Sequence, residues 1–246
     1  MPPSRRTGAT PLTIAPPLHD VLADMGAKYR ADPVAAVRSQ AFIKTLHDHL
    51  AGELDASLLD SARREGVQVM KEVKLFGSHK PKDADVAVVH PHNGPLMIVG
   101  VRSQMSSIGN NVLEYYQGIV GECISLQDRF PMAVIGYVYL HPKVSKKWRT
   151  VNGKKVLGDE FPDHARYAKM YSAITGRDGT SYKDIRGVYD QFAYMVVDFD
   201  AKPPTVDDGL VQAGVPLAKN DLRVSTFTDR MISTFKDRHI WMDMFQ

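Results

Sequence analysis

The sequence predicts a mixed α/β fold, a β-sheet core flanked by helices with a helical segment ahead of it, and three observations carry that expectation. Three short β-prone stretches, residues 73–76, 85–89 and 96–101, follow one another, separated by the turn formers Gly77, Pro81, Pro91 and Asn93-Gly94-Pro95. Asn93-Gly94 is a strong hairpin signal between the second and third of them. A long stretch over 106–129 then places Ile108, Val112, Tyr116, Ile119, Cys123 and Leu126 on one stripe, as a helix packed on a sheet requires. An apolar run of strand length, 132–140, comes next. Because it follows a helix, it is expected to lie parallel to an earlier strand through a right-handed crossover.

The flanking elements follow from the same periodicities. Ahead of the core, helices are expected over 18–29, 34–50 and 55 to about 71. In the second, Val34, Val37, Ala41, Ile43 (or Phe42), Leu46 and Leu50 recur at three- and four-residue steps, and Asp32-Pro33 supplies a cap and a first-turn proline. In the third, Leu58, Leu59, Ala62, Val67 and Met70 mark the buried side. After the core, 148–156 reads as a hairpin turning at Asn152-Gly153, 164–175 and 182–191 as helices, and 193–199 as a strand. Residues 201–220 read as a Pro/Asp/Gly-rich connection and 227 onward as a closing helix. The expected organisation is a flexible arm, 1–17, and a single domain, 18–246. Within that domain lie a helical layer (18–72), a core (73–142), and a basic hairpin with C-terminal helices and a strand (143–246).

Composition narrows the function classes only slightly. A chain of 246 residues, 43% hydrophobic and 24% charged, has ordinary globular values and can bury a sizeable core. Its one cysteine, Cys123, allows no internal disulfide and suits a reducing, cytoplasmic setting. No apolar run approaches the roughly 20 residues of a membrane helix, and the arm carrying Arg5 and Arg6 lacks the apolar stretch of a secretion signal. A net charge of +3 permits a nucleic-acid partner without demanding one. No glycine-rich phosphate loop of the nucleotide-binding types is present.

The chemistry concentrates on two neighbouring strands. Cleaving a phosphodiester needs a divalent cation held by hard oxygen ligands against the phosphate, and a cationic side chain to stabilise charge or orient water. Strand residues two apart project to the same side. Asp83 and Asp85 therefore share a face at the head of one strand, and Gly100, Arg102 and Gln104 share a face of its hairpin partner.

On these residues the stretch from 81 to about 140 resembles the PD-(D/E)XK nuclease superfamily, which includes most type II restriction endonucleases. That family places an acid at the head of one strand. After a hairpin comes an acid-x-Lys triplet on the next strand, then a helix and another strand. Asp85 fits the first acid better than Asp83, because Val86-Ala87-Val88-Val89 follows it directly. The triplet falls on Gly100-Val101-Arg102, with Ser103-Gln104 matching polar residues often found after it. Glycine stands where the second carboxylate belongs, and arginine where lysine belongs. Arginine grips phosphate but cannot act as a base.

The resemblance implies a restriction-endonuclease-like mixed sheet and a Mg²⁺-dependent, sequence-specific endonuclease acting on double-stranded DNA as a homodimer. Asp85 would ligate the metal, Arg102 would stabilise the phosphate, and Gln104 would position water or metal. The missing acid would come from the following helix, with Glu114 the first choice and Glu122 the second. Otherwise the centre is inactive and Arg102 only grips phosphate. Two alternatives stand beside this reading, a catalytically inactive DNA-binding or partner subunit on the same fold and an unrelated α/β enzyme acting on a small molecule.

Further candidates are weaker individually. Glu72 matches loosely an accessory acid that some family members carry on an early helix. Ser106 and Ser107 could cap the long helix or present hydroxyls and amides to phosphate. Lys143, Lys146, Lys147, Arg149, Lys154 and Lys155 surround Trp148 on the expected hairpin, a basic ribbon suited to a DNA groove. Arg166, Lys169, Arg177, Lys183 and Arg186 are additional possible phosphate contacts. Two His-x-His pairs occur, His47/His49 and His90/His92. Residues two apart on a helix diverge, so the first pair is a poor chelator, and zinc is not expected. Cys123, on the buried stripe, is expected to be inert core.

Overall fold

A six-stranded mixed sheet in the order β1-β2-β3-β4-β7-β8 organises the chain, with a separate two-stranded ribbon, β5-β6. The structure is a computed structural model and describes residues 15–31, 40–78, 81–177 and 187–246. The Asp32-Pro33 helix start, most of the N-terminal arm, Lys183 and Arg186 lie outside the described residues. Helices α1 (Leu18–Ala31), α2 (Gln40–Ala56) and the short α3 (Asp60–Arg64) precede β1 (Gln68–Phe76), β2 (Pro81–His90) and β3 (Gly94–Ser103). These three strands form an antiparallel meander. The long α4 (Ile108–Arg129) then returns the chain to β4 (Val134–Pro142), which pairs parallel with β3, as the helix-then-strand order anticipates.

The ribbon strands β5 (Ser145–Val151) and β6 (Lys154–Glu160) follow, then α5 (His164–Ser172) and β7 (Gln191–Asp198), which is parallel to β4. The chain ends with β8 (Thr205–Val206), α6 (Asp208–Gly214), a single 3₁₀ turn (Val224–Thr226) and α7 (Phe227–Arg238). No helix among the described residues is long and apolar enough to cross a membrane.

Both faces of the sheet are covered, which is why β4 and β7 are apolar along nearly their whole length instead of alternating. On one face α1, α2 and α7 contribute Met25, Leu46 and Phe235 against Val86, Val99, Val138 and Met195. On the other, α4 and α5 contribute Ile119, Cys123 and Tyr171 against Ile98, Tyr137, Tyr139 and Phe192. Cys123 is fully buried, and burial pushes its thiol well above the ordinary value, consistent with inert core.

Three expectations need correction. The third helix stops after one turn, because Gly66 adopts φ 88° and the chain enters β1 by residue 68. The apolar spacing that read as helical is strand alternation, with Val67 and Val69 buried and Met70 exposed. Residues 68–72 thus belong to the sheet and not to the helical layer. The end of the expected helix over 182–191 is also not helical, since Tyr189 and Asp190 enter β7 through a bridge and a bend. Finally, 201–220 is more than a connection: Asp207 accepts the Leu210 N–H and caps α6.

One buried ionic cluster ties the far end of the sheet together. Asp190, Arg177 and Arg238 are almost fully excluded from solvent. Asp190 accepts from Arg177 Nε and Nη2 at 3.0 Å each, from Arg238, and from the Ile135 N–H at 2.7 Å. Both arginines also donate to the Ala133 carbonyl at 2.9 Å. Arg177 is therefore a structural residue and not a phosphate contact. Asp190→Ala leaves two buried guanidinium groups without a counter-charge and is expected to cost about 3–5 kcal/mol in urea unfolding. A loss below about 1 kcal/mol would show that the cluster relaxes freely around the missing carboxylate.

Candidate functional site

The site begins where β2 and β3 part. Their pairing runs from His90↔Gly94 back to Val86↔Val99, and Asp85 is the next residue on β2. Its carboxylate turns into the widening gap, where Oδ2 accepts the Val101 N–H at 2.6 Å. An acidic side chain at this fork satisfies a backbone donor that the sheet has abandoned. Burial pushes the Asp85 carboxyl above the ordinary carboxylate range, although His47, the Val101 N–H and Lys82 pull the other way. Glu122 adds to the upward push. Asp83, by contrast, is exposed and sits opposite Lys74 of β1, outside this group.

Gly100 explains how the second acid arrives. It pairs with Tyr137 of β4, and a Cβ at this position would lie 2.6 Å from that ring. Such an approach requires the ring or the backbone to move, so a side chain at residue 100 is sterically disfavoured while Tyr137 is present. Glu122 Oε1 lies 3.4 Å from the same point. A carboxylate from α4 thus occupies the space beside Gly100. Its side chain is only 12% exposed, and Oε2 accepts a 2.8 Å contact from Lys82 Nζ.

Glu114, the first choice from sequence, is exposed on α4 and not among the groups that act on Asp85. The difference is one of helical phase: at about 100° per residue, Glu114 falls about 200° around α4 from buried Val112, whereas Glu122 falls about 60° from buried Ile119.

Arg102 points to the same side of the sheet, its guanidinium carbon 5.2 Å from the Tyr115 ring centroid. Burial works against its charge, but Tyr137 and Glu122 hold its pKa above the ordinary guanidinium value. Asp85 and Arg102 form no direct ion pair, and Glu122 is the neighbour that acts on both. Gln104 is buried and fully occupied: Oε1 accepts from Tyr139 Oη at 2.7 Å, and Nε2 donates to the Ser107 and Ile108 carbonyls at 3.4 and 3.5 Å. It braces the entry to α4.

Ser106 and Ser107 do not cap that helix with their side chains. The cap is Glu160 of β6, which accepts the Ile108 and Gly109 N–H groups at 3.0 and 3.2 Å and the Ser145 hydroxyl at 2.6 Å. An anion site at this helix start is therefore already filled.

The ribbon turns at Asn152-Gly153, with φ 49° and 76°, matching the expected hairpin. Its root is electrostatically engaged. Lys143 pairs with Asp207 and Asp198, Lys146 with Asp159, and Lys147 contacts Asn110 and Glu160. Toward the tip, Arg149 donates to the Asp159 carbonyl at 2.8 Å, and Lys154 and Lys155 form no ion pair among the described residues. Trp148 is 57% exposed beside them. On this ribbon the cations open to a polyanion are the distal ones.

Two groups escaped sequence reasoning. Lys82 lies three residues before Asp85, an offset that regular alternation would send to the opposite face. His47 of α2 donates or accepts at Glu72 Oε1 over 3.0 Å and lies 3.9 Å from Asp85 Oδ1. Glu72 itself is not on a helix. It sits in β1 between the pairs Lys71↔Val86 and Val73↔Ala84, with φ 52°, a left-handed backbone rare for a non-glycine residue. His49 diverges to the Pro16 carbonyl, 2.8 Å away, as expected for residues two apart on a helix.

No protein-family model, curated protein or solved structure matches the chain. The class that can be stated outright is therefore an α/β protein whose mixed sheet parts around a partly buried carboxylate.

Asp85 has a measurable consequence for stability. Its folded carboxyl holds a proton more tightly than the unfolded one, so its contribution is most favourable below the ordinary carboxylate range and is lost as pH rises through the raised value. Asp85→Asn keeps an acceptor for Val101 and removes that loss. In EDTA at neutral pH the variant is expected to melt higher than wild type, by about 2–4 °C per kcal/mol recovered. The gap should close toward about pH 4. A lower melting point at neutral pH would show that ionised Asp85 is net stabilising.

Proposed function

We propose that the protein is a divalent-cation-dependent endonuclease of restriction type, hydrolysing phosphodiester bonds in double-stranded DNA. The observation that carries this reading is the Glu122 carboxylate beside Gly100, where a strand-borne acid would otherwise stand, acting on both Asp85 and Arg102. The meander β1-β2-β3 followed by α4 and a parallel β4 supports the resemblance to PD-(D/E)XK nucleases drawn from the sequence.

The donor set fits a hard cation such as Mg²⁺. Asp85 and Glu122 are two partly buried carboxylates; burial first and then Glu122 hold the Asp85 carboxyl above the ordinary range, and a bound cation would relieve the repulsion. When bound, the cation supplies Lewis-acid polarisation of a phosphoryl oxygen and lowers the pKa of water. The chain's own groups do the rest. Arg102, backed by Tyr115, presents a planar fork to the phosphate. Lys82, held on Glu122, places an ammonium where the family's triplet lysine is lacking. The distal ribbon cations and Trp148 lie along DNA as backbone contacts. Two-fold pairing of chains in the cytoplasm would present two such centres to the two strands.

Digestion of mixed phage and plasmid DNA with Mg²⁺ tests the reading. Wild type is expected to give discrete fragments, Asp85→Ala and Glu122→Gln to lose at least about 100-fold in rate, and Glu114→Gln to cut normally. Binding with steep salt dependence but no cutting would favour the inactive DNA-binding alternative. Absence of binding at low salt would exclude both.

A further inference from the structure

Asp85 has a second set of neighbours that phosphate chemistry leaves unused. On the side facing α2, donor atoms of His47, Glu72 and Asp85 all lie within 4.8 Å of one another. The His47 side chain is only 5% exposed, and its Nδ1 is 3.0 Å from Glu72 Oε1. A carboxylate on one ring nitrogen fixes the tautomer, so the lone pair falls on the other, Nε2. That Nε2 is buried without a hydrogen-bond partner and lies 3.9 Å from Asp85 Oδ1. The separation is too long for a hydrogen bond. Two ligand atoms each about 2.1 Å from one tetrahedral ion stand about 3.4 Å apart, so the pair need close by only about 0.5 Å to share a metal.

We infer that His47 Nε2 and Asp85 Oδ1 are ligands of a first-row transition-metal ion, with Glu72 holding the imidazole in place. Imidazole nitrogen suits ions such as Co²⁺, Ni²⁺ and Zn²⁺, whereas Mg²⁺, Ca²⁺ and Mn²⁺ favour oxygen ligands. The His47 side of Asp85 thereby prefers such an ion, while the all-carboxylate side shared with Glu122 suits Mg²⁺. His47 is one donor in a set that also includes Asp85 and Glu72, and His49, pointing to Pro16, takes no part. The inference shares Asp85 with the proposed nuclease centre but requires neither DNA nor Glu122, so metal binding and cleavage can fail separately.

The test uses the full chain without DNA. Co²⁺ is titrated by visible absorption and Mg²⁺ by calorimetry, for wild type, His47→Ala, Glu72→Gln and His49→Ala. Wild type is expected to bind Co²⁺ at least about tenfold more tightly than Mg²⁺. His47→Ala should lose at least about tenfold in Co²⁺ affinity with Mg²⁺ affinity little changed. Glu72→Gln should lose about 10- to 100-fold for Co²⁺, as removal of an orienting carboxylate does. His49→Ala should match wild type. Because His47 is buried and its alanine variant risks misfolding, Glu72→Gln, at a half-exposed position, serves as the second reading. Equal Co²⁺ affinity in wild type and either variant, or no Co²⁺ binding by a folded wild type, would overturn the inference and leave His47 an ion-pair partner of two carboxylates.

Discussion

A ring and a missing side chain compete for the same volume at the centre of this protein, and the outcome governs where its acids sit. Tyr137 of β4 packs over Gly100 of β3, leaving no room there for a Cβ. A carboxylate can reach that region only from the layer above the sheet, and α4 supplies Glu122. The fork between β2 and β3 sets the other half. Once their ladder ends at Val86↔Val99, Asp85 turns inward to satisfy the Val101 N–H. Two acids from different elements thus come near enough for Glu122 to raise the Asp85 carboxyl.

The surrounding charges follow from burial. Neither Asp85 nor Glu122 is open enough to be neutralised by water alone, so Lys82, His47 and Arg102 gather around them. A carboxyl held above its ordinary range by burial and a neighbouring carboxylate is found at functional sites as well as in structural ion-pair networks. The buried Asp190 cluster offers the contrast within one molecule. There each acidic oxygen is matched by guanidinium or backbone donors, and the group has a purely architectural role.

Much of the fold was legible because its signals are local. Asn93-Gly94 and Asn152-Gly153 mark both hairpins, the stripe through Ile119 and Cys123 marks α4, and the apolar run after it marks the parallel β4. Asp85 was preferred to Asp83 for the strand that follows it, and the structure places Asp85 at the fork and leaves Asp83 exposed. What escaped depends on distance in three dimensions. Residues 67–71 satisfy helix and strand spacing alike, and only pairing with β2 decides. Glu122 over Glu114 depends on which side of α4 turns toward the sheet at the level of Gly100. Glu160 capping α4 and His47 reaching Asp85 join segments far apart in sequence, and no spacing rule announces them.

The central claim is that Asp85 and Glu122 together hold a divalent cation. Anomalous scattering from crystals of the protein grown with Mn²⁺ tests it most directly. The expected result is one strong peak with an Asp85 oxygen and a Glu122 oxygen each within about 2.0–2.6 Å. An ordered ion bound to Asp85 with no bond from Glu122, or one drawn instead to Glu114, would contradict it.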